Sequence, residues 1–298
     1  MRILASGLGG GLDVVNASLI YFAAKNEGRK VNLGAVHPVS LDKLADHSRF
    51  ADSGTVIDEN SRVLVHGRYI EPAVSHHIKE KVYYFSVKHD GKKNIALLRE
   101  AIATQLGIRF THAVFVDGGG DSLQLKPGDK GETSESDNPF YGGDAKVLEA
   151  LSGIPNTYLA VVSAGLDVNE QRFQQNIELL RQRNAYFGRV NLVSRKKEDY
   201  QLDDILKFSN GFLNKYFDLA EKVLVLSPED FNKAGKEKSH TAVVTYHAMK
   251  GNFGLQRTYV DWEPEVNGKR GVIVTPEHRW MYFFDAGKIH EVKKELNS

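Results

Sequence analysis

Apolar positions along this chain fall into two alternating rhythms. Short aliphatic runs, such as Ile3-Leu4-Ala5 and the stretches 31–36 and 82–87, have the length of buried strands. Between them, Val14, Val15, Leu19, Phe22 and Ala23 recur at helical spacing over 14–26, and 94–106 repeats that pattern up to Gly107. The order continues with strand 111–116, helix 144–151, strand 158–163, a helix capped by Asp167 or Asn169 and reaching about residue 186, strand 189–193, and helices 200–220 and 239–249. Residues 222–226 fit either a helix end or another strand, and Ser227-Pro228-Glu229-Asp230 has the cap, proline and acidic first turn of a helix start. Strand–helix alternation of this kind predicts an α/β fold: a mostly parallel, doubly wound (Rossmann-like) sheet with helices on both faces.

Three stretches depart from the rhythm. Residues 42–80 read as an irregular excursion, with short strands at 55–57 and 62–69 paired as a hairpin around Asp58-Glu59-Asn60-Ser61. Residues 123–140 are polar and rich in Gly, Pro, Ser and Asp, which fits either a binding loop or a disordered one. The tail shows short apolar runs at 258–262, 271–275, 280–284 and 288–292, read as a short-stranded C-terminal β extension. The expected organisation is therefore a Rossmann-like domain over 1–257 with a β segment, 258–298, packed on it.

Composition narrows the function. The chain has 298 residues, enough for a full core, and 39 Lys plus Arg nearly balance 38 Asp plus Glu. No overall field draws it to nucleic acid or to an anionic membrane. Cysteine is absent, which excludes disulfides, thiolate metal sites and a cysteine nucleophile. The N-terminal apolar run is too short for a signal peptide, and no run is long enough to span a bilayer, so a cytoplasmic location is expected.

Two glycine turns carry the chemistry. Gly7, Gly9, Gly10 and Gly11 follow the first strand and precede a helix that starts near Asp13. Glycines let backbone N–H groups approach a ligand, and a helix N-terminus favours an anion, so this turn is read as phosphate-binding. It is not a dinucleotide fingerprint, because Leu12 stands where the third glycine belongs, and it lacks the Gly-Lys-Ser/Thr of a P-loop. The second turn, Asp117-Gly118-Gly119-Gly120-Asp121-Ser122, places two carboxylates where they can curl toward one point. Such hard oxygens bind Mg²⁺ together with a phosphate; without metal, the pair splits its proton affinities so that one member serves as general acid or base. Strands of a parallel sheet end on one side, so these turns and Gly165 with Asp167 should line one crevice.

The segments Gly9-Gly10-Gly11-Leu12-Asp13-Val14-Val15, Val116-Asp117-Gly118-Gly119-Gly120-Asp121-Ser122-Leu123 and, after the 144–151 helix, Ala164-Gly165-Leu166-Asp167 resemble the mainly archaeal family known as domain of unknown function 1152. The resemblance implies an α/β fold with a glycine-rich, nucleotide-like pocket and brings no established reaction with it. Where that family tends to carry a Gly-Asp-Gly-Glu turn after the later strand, this chain has Gly165-Leu166-Asp167-Val168, leaving Asp167 as the acid of that turn.

Other candidates are weaker. His76-His77 lack zinc-site spacing, and no Gly-x-Ser-x-Gly elbow occurs. Trp262, Trp280, Tyr282, Phe283 and Phe284 belong to the core or to a homo-oligomer surface. The expectation is an enzyme, a hydrolase or transferase, acting on a nucleotide or other phosphorylated small molecule. Asp117 and Asp121 would be catalytic and hold Mg²⁺; Gly7, Gly9, Gly10, Gly11, Asp13, Gly118, Gly119, Gly120, Ser122, Gly165 and Asp167 would bind ligand. The alternative is a nucleotide-binding sensor or scaffold that uses the same pocket without turnover.

Overall fold

The computed structural model describes residues 1–8, 12–37, 41–63, 70–89, 92–127, 139–140, 142–164, 166, 170–224, 241–259 and 270–298. Ten strands form its main sheet. In chain order they are β1 (Arg2–Gly7), β2 (Lys30–His37), β3 (Ser48–Ala51), β4 (Gly54–Ile57), β5 (Val82–Ser86), β6 (His112–Gly118), β7 (Thr157–Val162), β8 (Tyr186–Asn191), β9 (Lys197–Glu198) and β10 (Trp280–Asp285). Across the sheet the order is β9-β8-β10-β7-β6-β1-β2-β5-β4-β3.

The inner strands β7-β6-β1-β2-β5 are parallel. On one side, β10 enters antiparallel between β7 and β8, and β9 pairs antiparallel with β8. On the other, β4 pairs antiparallel with both β5 and β3. The sheet is thus mixed, not mostly parallel: a parallel centre carries antiparallel strands on both flanks.

Helices cover both faces. They are α1 (Asp13–Asn26), α2 (Glu71–Ile78), α3 (Ile95–Ile108), α4 (Gly142–Leu151), α5 (Glu170–Gln182), α6 (Phe212–Leu224), α7 (Thr241–Lys250) and α8 (Ala286–Asn297). Because strand side chains alternate, Ile3 and Ala5 of β1 join a core with α1, α2, α6 and α7. Leu4, from the same strand, joins the opposite core with α3, α4, α5 and α8. Helix α1 is buried from Asp13 through Ala24 because the sheet lies under it and α6 and α7 lie over it. A helix enclosed this way must be apolar nearly all round, as its sequence is. Among the described residues no helix is long and apolar enough to cross a membrane.

Several expected elements change type or place. The tail is not a β extension: β10 lies inside the main sheet, and residues 288–292, expected as a strand, belong to α8. Asp285 caps that helix, accepting from the Lys288 N–H at 3.2 Å, and Ile289, Val292 and Leu296 follow helical spacing. Of the expected tail strands, 280–284 is β10, and residues 258–259 and 271–273 lie in the hairpin of Gln256–Tyr259 with Arg270–Ile273, while 260–262 lie outside the described residues. Strand β4 pairs with β3 and β5 in the main sheet, while Arg62–Val63, expected to pair with it, pairs with Leu44–Ala45. Residues 64–69 and 227–230 lie outside the described residues. Helix α5 stops at Gln182, where Asn184 takes a left-handed φ of 53°, and Tyr186 already belongs to β8. The helix expected from residue 200 begins only at Phe212, behind Gly211 at φ 91°.

Candidate functional site

From β1 the chain moves outward through β2 to β5, then returns to the other side of β1 for β6 and β7. The direction of winding therefore reverses between β1 and β6, whose carboxyl ends carry Gly7 and Asp117-Gly118. In open α/β sheets the crevice beyond such a reversal is where ligands bind.

The strand ends are laced together. The Leu8 N–H donates to the Val116 carbonyl at 2.9 Å, and the Gly119 N–H donates to the Val162 carbonyl at 2.9 Å. Asp13, in the first turn of α1, accepts from the Gly118 N–H through Oδ1 at 3.2 Å. Gly7, Asp13 and the 117–122 turn therefore meet as expected. Gly9, Gly10, Gly11, Gly165 and Asp167 lie outside the described residues.

The described glycines of the two turns each have a definite reason. A Cβ on Gly7 would stand 2.7 Å from the Val14 nitrogen, so glycine lets α1 dock directly on the end of β1. A Cβ on Gly118 would stand 2.0 Å from Thr241 Oγ1 and 2.6 Å from Asn16 Nδ2. Gly119 and Gly120 both take left-handed φ, 100° and 101°, which turns the chain sharply enough to bring Asp121 back over Asp117. The N–H groups of Gly118 and Gly119 are committed to protein acceptors.

Asp117 is buried, at 1% exposure, and its Oδ2 accepts from both the N–H (3.3 Å) and the hydroxyl of Ser122. Ser122 thus orients the carboxylate. A third acid completes the group: Asp144, in the first turn of α4, brings its carboxylate to the same place. One oxygen from each of Asp117, Asp121 and Asp144 lies within 4.8 Å of the others. Burial raises the proton affinity of Asp144 well above the usual carboxylate range, helped by the charges of Asp121 and Asp117, a hydrogen bond with Asp121 and the charge of Asp13. Two full charges about 4.8 Å apart repel by about 3 kcal/mol at an effective dielectric of about 20. A bound cation would offset that repulsion and favour the ionised form of Asp144.

The donor set fits a hard divalent ion. Oxygens on opposite sides of an octahedral Mg²⁺ are about 4.2 Å apart, so only small side-chain shifts separate this arrangement from a coordinating one. Next to Gly118, Asn16 is fully buried, with its Nδ2 3.5 Å from Thr241 Oγ1, and its Oδ1 has no hydrogen-bond partner among the described residues. A buried carbonyl oxygen in that condition is costly unless something supplies a donor or a cation. Behind it, Ser163 takes a left-handed φ of 50° just beyond β7 and shares a 2.7 Å hydroxyl contact with Thr245 of α7. Strain of this sort at a strand end is typical of sites.

Sequence patterns alone did not single out Asp144, Asn16 or Thr241. Asp144 did carry a signal, since Gly142-Gly143-Asp144 is a third glycine–aspartate junction at a helix start. Asn16 lies three residues after Asp13 and so shares its helix face. Thr241 reaches the site only through the packing of α7 on α1. His247 is a core residue, 1% exposed and 3.1 Å from the Asn252 side chain through Nδ1.

The profile of the family described as protein of unknown function, DUF1152, matches residues 4–208. The chain belongs to this family. The matched stretch holds Asp13, Asp117, Asp121 and Asp144, most of β1, and β2 through β9, while β10 and α8 lie beyond it. No curated protein and no solved structure matches the chain.

Proposed function

We propose that this DUF1152 protein is a Mg²⁺-dependent hydrolase or transferase acting on a nucleotide or another phosphorylated small molecule. In this reading its inner strands form a Rossmann-like, doubly wound unit with the site at the reversal point. The observation that carries the proposal is the convergence of Asp117, Asp121 and Asp144, from three separate elements, within 4.8 Å. Asp117, Asp121 and Asp144 would hold the ion, which when bound polarises a phosphoryl oxygen.

The chain's own groups divide the remaining work. Ser122 fixes the Asp117 carboxylate, and Asp13 ties α1 to the Gly118 backbone. The first turn of α1, whose N-cap Leu12 makes no side-chain capping bond, offers its amide end to an anion. Asp144, whose proton affinity is raised by burial and by the neighbouring acids, would release its proton as the ion binds.

The test is a thermal-shift screen of nucleotides and sugar phosphates with and without Mg²⁺. A ligand at about a hundred times its dissociation constant adds about 2.7 kcal/mol of apparent stability. The proposal expects hits that need both Mg²⁺ and phosphate, and turnover of such a hit should be lost in Asp121→Asn. A ligand that binds without phosphate, or full turnover by Asp121→Asn, would remove it.

A further inference from the structure

We propose that the C-terminal helix α8 is a positioning brace for the aspartate site, with Lys293 and Asn297 fixing the backbone that carries Asp121 and Asp144. The proposal rests on reading those aspartates as a cation site. Asp121 and Asp144 stand on either side of residues 128–138, which lie outside the described residues. The two flanks of that stretch are held by one helix. Asn297 donates from Nδ2 to the Leu125 carbonyl at 2.8 Å, four residues after Asp121. Lys293 donates from Nζ to the Pro139 carbonyl at 3.3 Å, five residues before Asp144. The neighbouring Phe140 ring meets His290 edge-on, with centroids 6.1 Å apart. His290, Lys293 and Asn297 are spaced by three and four residues, which places all three contacts on one face of α8.

Lys293 is the informative residue. It is only 1% exposed, and burying an ammonium is unfavourable unless its head is bonded. Its Nζ reaches a backbone carbonyl that an aliphatic side chain could not hold. The Asp121 side has a further tether from the same face of the sheet, because Asn176 of α5 donates to the Leu123 carbonyl at 2.9 Å. Helix α8 also packs on α4, which carries Asp144. Carboxylates must stay within a fraction of an ångström of their working positions to act together, and supporting partners supply that precision. The aspartates lie within the stretch matched by the family, whereas the brace lies after it.

The test compares the full chain with Lys293→Met, Asn297→Ala, the double variant and the control Lys294→Met, a neighbouring exposed position. Two readouts are taken: amide hydrogen exchange, and Mn²⁺ affinity by calorimetry alongside Asp121→Asn. The double variant should exchange the amides of residues 121–125 about tenfold faster and bind Mn²⁺ about tenfold more weakly, a size usual for lost supporting contacts. Exchange in β1 and β6 should not change, and Lys294→Met should match the wild type in both readouts. Unchanged exchange at 121–125 overturns the brace whether or not metal binds, and so does faster exchange spread over β1 and β6. Faster local exchange with undiminished, Asp121-dependent Mn²⁺ binding overturns the positioning role. If Mn²⁺ fails to bind even the wild type, the cation reading falls, and the exchange data still decide whether α8 holds the backbone at Leu125 and Pro139. Should Lys293→Met not fold, Asn297→Ala alone carries both readouts.

Discussion

Glu71 offers a prediction whose size follows from its surroundings. It opens α2, is 2% exposed, and burial lifts its carboxyl from the ordinary 4.5 to about 7, against an opposing pull from the backbone N–H groups of Glu71 and Ile70. A folded-state value above the unfolded one means that the fold holds the proton more tightly than the open chain does. Below about pH 4.5 both states are protonated and the group has no net effect. As pH rises from about 4.5 to about 7, the unfolded chain ionises first and the native state loses stability; above about 7 the loss levels off. Each tenfold difference in proton affinity is worth about 1.4 kcal/mol, so the full loss is about 3 kcal/mol. Glu71→Gln keeps the shape and cannot ionise. Urea unfolding of both proteins across about pH 4 to 8 should show nearly equal stability at the acid end and a variant about 3 kcal/mol more stable at the alkaline end. A difference that stays constant with pH, or a variant less stable at about pH 8, would refute the assignment.

Other outcomes follow from the site's packing. Gly118→Ala puts a methyl 2.0 Å from Thr241 Oγ1 and 2.7 Å from Thr241 Cβ, so hydroxyl rotation gives no relief; thermal unfolding should report a loss of about 1–3 kcal/mol. Asp13→Ala leaves the buried Gly118 N–H without its acceptor and should lower stability by about 1–3 kcal/mol, whereas Asp13→Asn, which keeps an oxygen, should lose less. Gly188→Ala combines a φ of 103° with a Cβ 2.4 Å from the Asp199 backbone, and chemical denaturation should show a loss above about 2 kcal/mol.

How much of this could be read from the residues depends on the range of the interactions involved. The inner strands and α1, α3 and α4 emerge from apolar periodicity because each is decided within its own segment. The meeting of Asp13 with the 117–122 turn followed from one rule, that parallel strands end together. Position in the sheet is a different matter. Nothing in Trp280-Met281-Tyr282-Phe283-Phe284 says that it will slot between β7 and β8, since that depends on long-range pairing available only once the other strands exist. The misreading of 288–292 came from weighing apolar alternation over the Asp285 cap. Residues 55–57 read as a strand, but the place of β4 in the main sheet did not, because its partners are β3 before it and β5 beyond α2, while the turn at Asp58–Ser61 pointed to a pairing with Arg62–Val63 that Leu44–Ala45 takes instead. In the site, Asp144 was passed over because its α4 helix explained it without a ligand; only the approach of three carboxylates gives it a second role.

The account turns on whether the aspartate group takes a divalent ion. Calorimetric titration of the full chain with Mg²⁺ and with Mn²⁺ near neutral pH, repeated on Asp117→Asn, Asp121→Asn and Asp144→Asn, addresses that directly. The account predicts one saturable site in the wild type, proton release on binding as Asp144 gives up its proton, and at least about tenfold weaker affinity in each variant. No heat of binding in the wild type, or binding that survives all three substitutions, would contradict it.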